Sequence, residues 1–172
     1  MNKKKKLFAI LSRGKYCDED VVFLRSCLLG DNKVLRSSAA HLVGSFKIKE
    51  CLEDLVNLLS DNFGTVYSLA VAQFGKISIE IVQKKLNSKT TDIFRANSAS
   101  ILGFYPSTSS LKTLAVLLSD KCILVRRMAA GHLKYMHCCR KEAIDVIETR
   151  LKIEKNKNVR LFLIKSRNEL KV

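Results

Sequence analysis

A ten-residue pattern recurs five times along the chain, as 35-LRSSAAHLVG-44, 66-VYSLAVAQFG-75, 94-FRANSASILG-103, 125-VRRMAAGHLK-134 and 159-VRLFLIKSRN-168. Aligned on Arg36, Tyr67, Arg95, Arg126 and Arg160, successive copies lie 31, 28, 31 and 34 positions apart, the period of short helical-hairpin repeats. Each copy has an apolar residue just before the anchor, small or apolar residues three and four after it, and in four of the five a large apolar residue seven after it. That spacing is one buried stripe of a helix. The position three after the anchor is Ala39, Ala70, Ser98 and Ala129 in the first four copies, and a small side chain there lets neighbouring helices approach closely. In the fifth copy the same places hold Leu163 and Arg167, as fits a last unit with nothing stacked beyond it.

A second apolar segment precedes every copy: Val22 to Leu29, Cys51 to Leu59, Ile79 to Leu86, Leu111 to Leu118 and Ala143 to Leu151. The repeating unit is therefore a pair of helices, with hairpins at about 20–47, 48–77, 78–105, 108–137 and 140–170 after a short amino-terminal helix. With 172 residues, one proline and few alternating strand-like runs, the chain is expected to be all-α and to form a single domain. The turns carry an acid in four places (Asp31, Asp61, Asp120, Glu154), and Gly44, Gly75 and Gly103 suit helix ends that need a left-handed residue. In 106-PSTSS-110, Pro106 stops one helix and a serine caps the next.

The halves Leu58-Leu59-Ser60-Asp61 and Leu117-Leu118-Ser119-Asp120, with Val125-Arg126, Ala129-Ala130 and Leu133, resemble HEAT repeats, in particular the short variety of about thirty residues seen in bilin-lyase-like proteins. The resemblance covers roughly residues 20–170. It implies a right-handed α-solenoid of about five hairpins, in which turn acids and the helix arginines Arg36, Arg95, Arg126 and Arg160 bond within and between repeats as a structural ladder. Two positions depart from it: Tyr67 replaces the arginine of the second copy, and Lys89 stands where the third copy should have its acid.

Charge is unevenly placed. The formal net charge is +15, of which Lys3 to Lys6 contribute four positive charges and residues 121–172 hold 14 basic against 5 acidic side chains. An acidic partner is expected to be met at the carboxyl-terminal third or at these lysines; the plainer reading is a solubilising surface. The apolar run Leu7 to Leu11 is cut short at Ser12-Arg13, too short for a secretory core, and nothing reads as a transmembrane stretch. Six irregularly spaced cysteines in apolar helical patterns point to thiols in a reducing compartment, and hence to the cytoplasm.

No constellation for catalysis is visible, nor a phosphate-binding loop or nucleophile motif, and no cofactor is expected. The cluster 137-HCCR-140 lacks the paired spacing of zinc ligands and reads as a buried cysteine beside a solvent-facing one. A diiron hydroxylase and a DNA glycosylase group share this kind of repeat. The His-Glu pairs of the first are absent, and the tryptophans and pocket carboxylate sought for the second are not found. The aromatic residues read as mostly core.

Stacked hairpins present their second helices on a concave side. The positions one and five after each anchor are then the expected contact surface: Ser37 and His41, Ser68 and Ala72, Ala96 and Ser100, Arg127 and Gly131, Leu161 and Lys165. With Lys134, Arg140 and Lys141 at the basic end, this surface suits an acidic or helical segment of another protein, the partner-binding residues being His41, Arg127, Lys134, Arg140, Lys141 and Lys165. The alternative is a nucleic-acid-binding module using the same basic end for phosphate contacts.

Overall fold

The computed structural model describes residues 2–62, 64–87 and 89–172. The described residues form α-helices and 3-10 turns, with no strand among them. The helices are α1 (Lys3–Arg13), α2 (Asp18–Leu28), α3 (Lys33–Phe46), α4 (Leu52–Asn57), α5 (Gly64–Ala72), α6 (Lys76–Lys85), α7 (Asp92–Phe104), α8 (Thr108–Leu117), α9 (Ile123–His132), α10 (Arg140–Ile153) and α11 (Lys157–Lys171). The chain is all-α. Among the described residues, no helix is long and apolar enough to cross a membrane.

Local chemistry starts these helices where the sequence places them. Asn32, Thr91, Ser107 and Asn156 accept backbone N–H bonds from the first turns of α3, α7, α8 and α11 at 3.0–3.2 Å, satisfying donors that a helix leaves orphaned. Asp120 and Glu154 do related work one turn earlier, accepting from the N–H of Cys122 at 2.8 Å and of Asn156 at 2.9 Å.

The recurring stripe is the core. Ala39, Ala40 and Val43 on α3, Ala70 and Val71 on α5, Ala99 and Leu102 on α7, and Ala129 and Ala130 on α9 are all buried, as are Phe74 and Leu133 just beyond α5 and α9. These odd-numbered helices pack in succession, α1 on α3, α3 on α5, α5 on α7, α7 on α9 and α9 on α11. Each of α2, α4, α6, α8 and α10 packs on the helix that follows it. One apolar cluster extends from Leu7 to Leu170. Between α4 and α6, Lys85 Nζ donates to Asn57 Oδ1 at 3.0 Å, and between α6 and α8 the Gln83 amide donates to Thr113 Oγ1 at 2.8 Å.

The anchor arginines tie one copy to the next. Arg36 pairs with Asp61. Arg95 Nε donates to Asp120 Oδ2 at 2.6 Å and its Nη2 to Oδ1 at 3.0 Å. Arg126 Nε donates to Glu154 Oε2 at 2.9 Å and its Nη2 to Oε1 at 3.2 Å. Each of these arginines also donates to a carbonyl of its own turn: Gly30 O for Arg36, Thr90 O for Arg95 and Asp120 O for Arg126. Arg160 bonds the carbonyls of Leu151 and Glu154.

Two of the three glycines expected at left-handed helix ends serve a different purpose. Gly75 has a positive φ, 64°, but as the residue that starts α6. Gly44 and Gly103 lie inside α3 and α7 without positive φ. A Cβ on Gly44 would come within 2.8 Å of Ala70 Cα, and one on Gly103 within 2.5 Å of His132 Nδ1. They are close-approach residues, and the left-handed cap of α3 is Lys47, at φ 52°.

Candidate functional site

The exposed side of the odd-numbered helices differs from the expected surface in the middle of the row. Ser68, Ala96 and Ser100 are buried, and α7 is buried continuously from Phe94 to Gly103. The cause is the close packing of α7 between α5 and α9. Gly64 has no side chain to obstruct Asn97, whose Nδ2 donates to Leu59 O at 2.8 Å, while Ser68 Oγ contacts Asn97 O at 3.3 Å. Small residues there serve packing, and the accessible surface divides into two regions.

The first lies at α1, α3 and α5. A groove of about 540 Å³ between α1 and α3 is lined by Phe8, Leu11, Val34, Ser38 and His41 among others. A second, of about 360 Å³, lies between α3 and α5 and is lined by His41, Ser45, Val66, Leu69 and Gln73 among others. His41 is exposed and borders both.

The second region is the seam between α9 and α11. Arg127, Met128 and Gly131 on α9, with Lys134 and Tyr135 in the following turn, face Phe162 on α11 across about 300 Å³. Gly131 admits the Phe162 ring: a Cβ there would lie 3.2 Å from its Cδ1. Lys165 Nζ sits 6.0 Å from that ring and Lys134 Nζ 5.0 Å from the Tyr135 ring, positions where a cation is attracted by the π face. Lys134 also meets Glu169 at 3.6 Å. Among the described residues, Arg127 and Lys165 have no carboxylate partner.

His132 closes the inner wall of this seam, its ring 5.9 Å from Phe104 and 5.8 Å from Tyr135. Burial, with Lys134 adding a smaller repulsion, lowers its pKa to about 4. It is therefore neutral at physiological pH, and the positive charge of the seam comes from Arg127, Lys134 and Lys165. Arg140 and Lys141 are exposed at the start of α10, outside the residues lining the seam. The structure thus brings together Arg127 and Lys134, with Lys165 beside them, and leaves His41 in the other region.

Sequence reasoning missed the apolar part of both regions. The aromatic residues were expected to be mostly core, but Phe8, Tyr16, Phe104, Tyr105, Tyr135 and Phe162 are exposed. The signal was an excess of neighbouring apolar residues: in 7-LFAIL-11 and 161-LFLI-164 one helical stripe has room for only some of them. Leu7, Ile10 and Leu163 are buried, leaving Phe8, Leu11, Leu161 and Phe162 outside.

Cys139 is buried and Cys138 exposed, their sulfurs 3.8 Å apart. Burial, with a smaller contribution from Cys138, raises the Cys139 pKa to about 11, so this thiol is protonated and a weak nucleophile. Among the described residues no group of three His, Cys, Asp or Glu side chains converges as a metal site would require. Comparison with protein-family models and with curated protein sequences gave no match.

Proposed function

We propose that this chain is an adaptor: a right-handed α-solenoid of five HEAT-like hairpins with a short amino-terminal helix, binding an acidic or helical segment of another protein without catalysing a reaction. The arginine-to-acid bonds from one copy to the next and the succession of odd-numbered helices support the architectural part. The observation that carries the functional part is the mixture of groups at the α9/α11 seam. Exposed Phe162 and Tyr135 lie among Arg127, Lys134 and Lys165.

That mixture favours a protein segment over nucleic acid. Phosphate contacts need cations alone and lose affinity steeply with salt. An acidic peptide with an apolar anchor uses both halves of the seam, its large side chain displacing water from the Met128–Phe162 floor while its carboxylates meet the rim cations. Binding of this kind persists at moderate salt through its apolar part.

Affinity capture from native lysate, with and without nuclease, tests the reading. A protein partner retained after nuclease treatment is expected, with binding reduced at least about tenfold by the combined Arg127→Glu, Lys134→Glu and Lys165→Glu variant. Recovery of nucleic acid alone, abolished by nuclease and by modest salt, would establish the phosphate-binding alternative instead. Unchanged capture by the charge-reversed variant would remove the seam from consideration.

A further inference from the structure

The amino-terminal region has a geometry of its own. On α1, Lys4, Phe8 and Leu11 line the first groove; on α3, Val34, Ser38, His41 and Ser45 border the two grooves; Thr65, Val66 and Leu69 on α5, with Gln73 just beyond it, line the second. Along α1 and α3 these residues follow one another at intervals of three and four, and on α5 Leu69 stands four after Thr65. Each set is therefore one ridge of its helix. Three ridges with two grooves between them form the surface into which the side-chain rows of another helix interdigitate. Serines on the middle ridge keep it low, so a docked helix can lie over α3 and send apolar side chains into both grooves.

Charge defines the occupant further. Neither groove is lined by a carboxylate, and Lys4 is the charged residue among their linings. It belongs to the run Lys3–Lys6, which fills the first turn of α1 with no acidic residue in that turn. Cations there oppose the positive end of the helix dipole, and a docked carboxylate would relieve both. Phe8 is 70% exposed and Leu69 53% exposed, so the apolar part of the trough is open to water.

We infer that the trough formed by α1, α3 and α5 binds an amphipathic helix of a partner protein, with Phe8, Val34, Val66 and Leu69 against its apolar face and Lys4 against an acidic residue, while Lys6 lies on the α2 side over the Phe23 ring. This rests on the adaptor reading but places a second contact away from the α9/α11 seam. Docking couples the partner to α1, whose amides become more protected when the trough is filled.

Three synthetic peptides of about 18 residues, long enough to form a stable amphipathic turn series, serve as probes for the full chain by fluorescence anisotropy. One has leucines at helical spacing with glutamates elsewhere. The second keeps the leucines and replaces glutamate with lysine, and the third has the composition of the first with its periodicity broken. The first is expected to bind at least tenfold more tightly than either other. Phe8→Asp and Leu69→Asp, both at exposed positions, each weaken it about tenfold, and hydrogen exchange slows in α1 on binding. Equal binding of the periodicity-broken peptide, no binding of any, or indifference to both aspartate variants overturns the inference. If binding is lost only with Arg127→Glu, Lys134→Glu and Lys165→Glu combined, the adaptor reading stands and the trough does not.

Discussion

The exchange between anchor arginine and turn acid explains two residues that look, in the sequence, like separate defects. Three of the four arginines bond the acid of the following copy, Arg36 to Asp61, Arg95 to Asp120 and Arg126 to Glu154. Tyr67 in the second copy and Lys89 in the third are therefore the two halves of one absent pair. Losing both leaves no buried charge stranded, whereas losing one would. Tyr67 is fully buried instead, its hydroxyl without a hydrogen-bond partner among the described residues, and Asn97 to Leu59 supplies a polar link across this junction. The intact pairs have a definite pH signature. Burial alone would raise the Glu154 pKa, but hydrogen bonds from Arg126 and Arg150 outweigh it and bring the carboxyl down to about 2, against an ordinary 4.5. A depressed carboxylate stabilises the fold fully above its unfolded-state pKa, and the contribution disappears as pH falls from about 4.5 towards 2. Glu154→Gln is expected to cost on the order of 3 kcal/mol at pH 7 and much less at pH 2. Urea unfolding at both pH values checks this; an equal cost at both would mean that the pair is not what Glu154 contributes.

At the scale of whole helices, close approach decides what a sequence reader can and cannot see. Gly44 faces the Ala70 backbone, which cannot swing aside as a side chain does. Gly44→Ala should therefore separate α3 from α5 and destabilise the fold by about 1–3 kcal/mol. Gly131→Ala meets only the Phe162 ring, at 3.2 Å, and should cost less; chemical denaturation of the two variants side by side measures the difference. The helix pairs and their buried stripe were legible because periodicity three and four after an anchor records burial directly, as at Ala39-Ala40 and Ala129-Ala130. The roles of Gly44 and Gly103 were not, since a glycine near a helix end reads alike whether it turns the chain or admits a neighbour. Nor was the exposed surface. Ser68 shares its register with Ser37 and Arg127, and Ser100 shares its with His41 and Lys165, and only the close packing of α7 on both α5 and α9 makes the two serines core while His41 and Lys165 stay in water. The charged half of the candidate seam was readable from composition; Tyr135 and Phe162, which give it an apolar floor, were hidden by the assumption that aromatic residues go inside.

For the molecule as a whole, a row of helices in which each touches its neighbours predicts a gradient of local stability. Helix α7 packs on α5 and α9 along the row and on α6 and α8 at its side, and it contributes ten successive buried residues. Helix α1 contributes Leu7 and Ile10, carries an exposed Phe8 and begins with four lysines at the unfavourable end of its dipole. Opening α1 exposes little apolar surface and removes a local repulsion; opening α7 removes the packing on which both halves of the row depend. Native-state hydrogen exchange should therefore show α1 amides exchanging by local opening at low denaturant, with α7 amides exchanging only through global unfolding. The carboxyl-terminal end should resist more than α1 because Glu154 joins α9, α10 and the start of α11 through Arg126, Arg150 and the Asn156 amide. Exchange from α1 as slow as that from α7 would show that the lysine run is neutralised within the free chain. The trough beside it would then have no unmet charge with which to recruit an acidic helix.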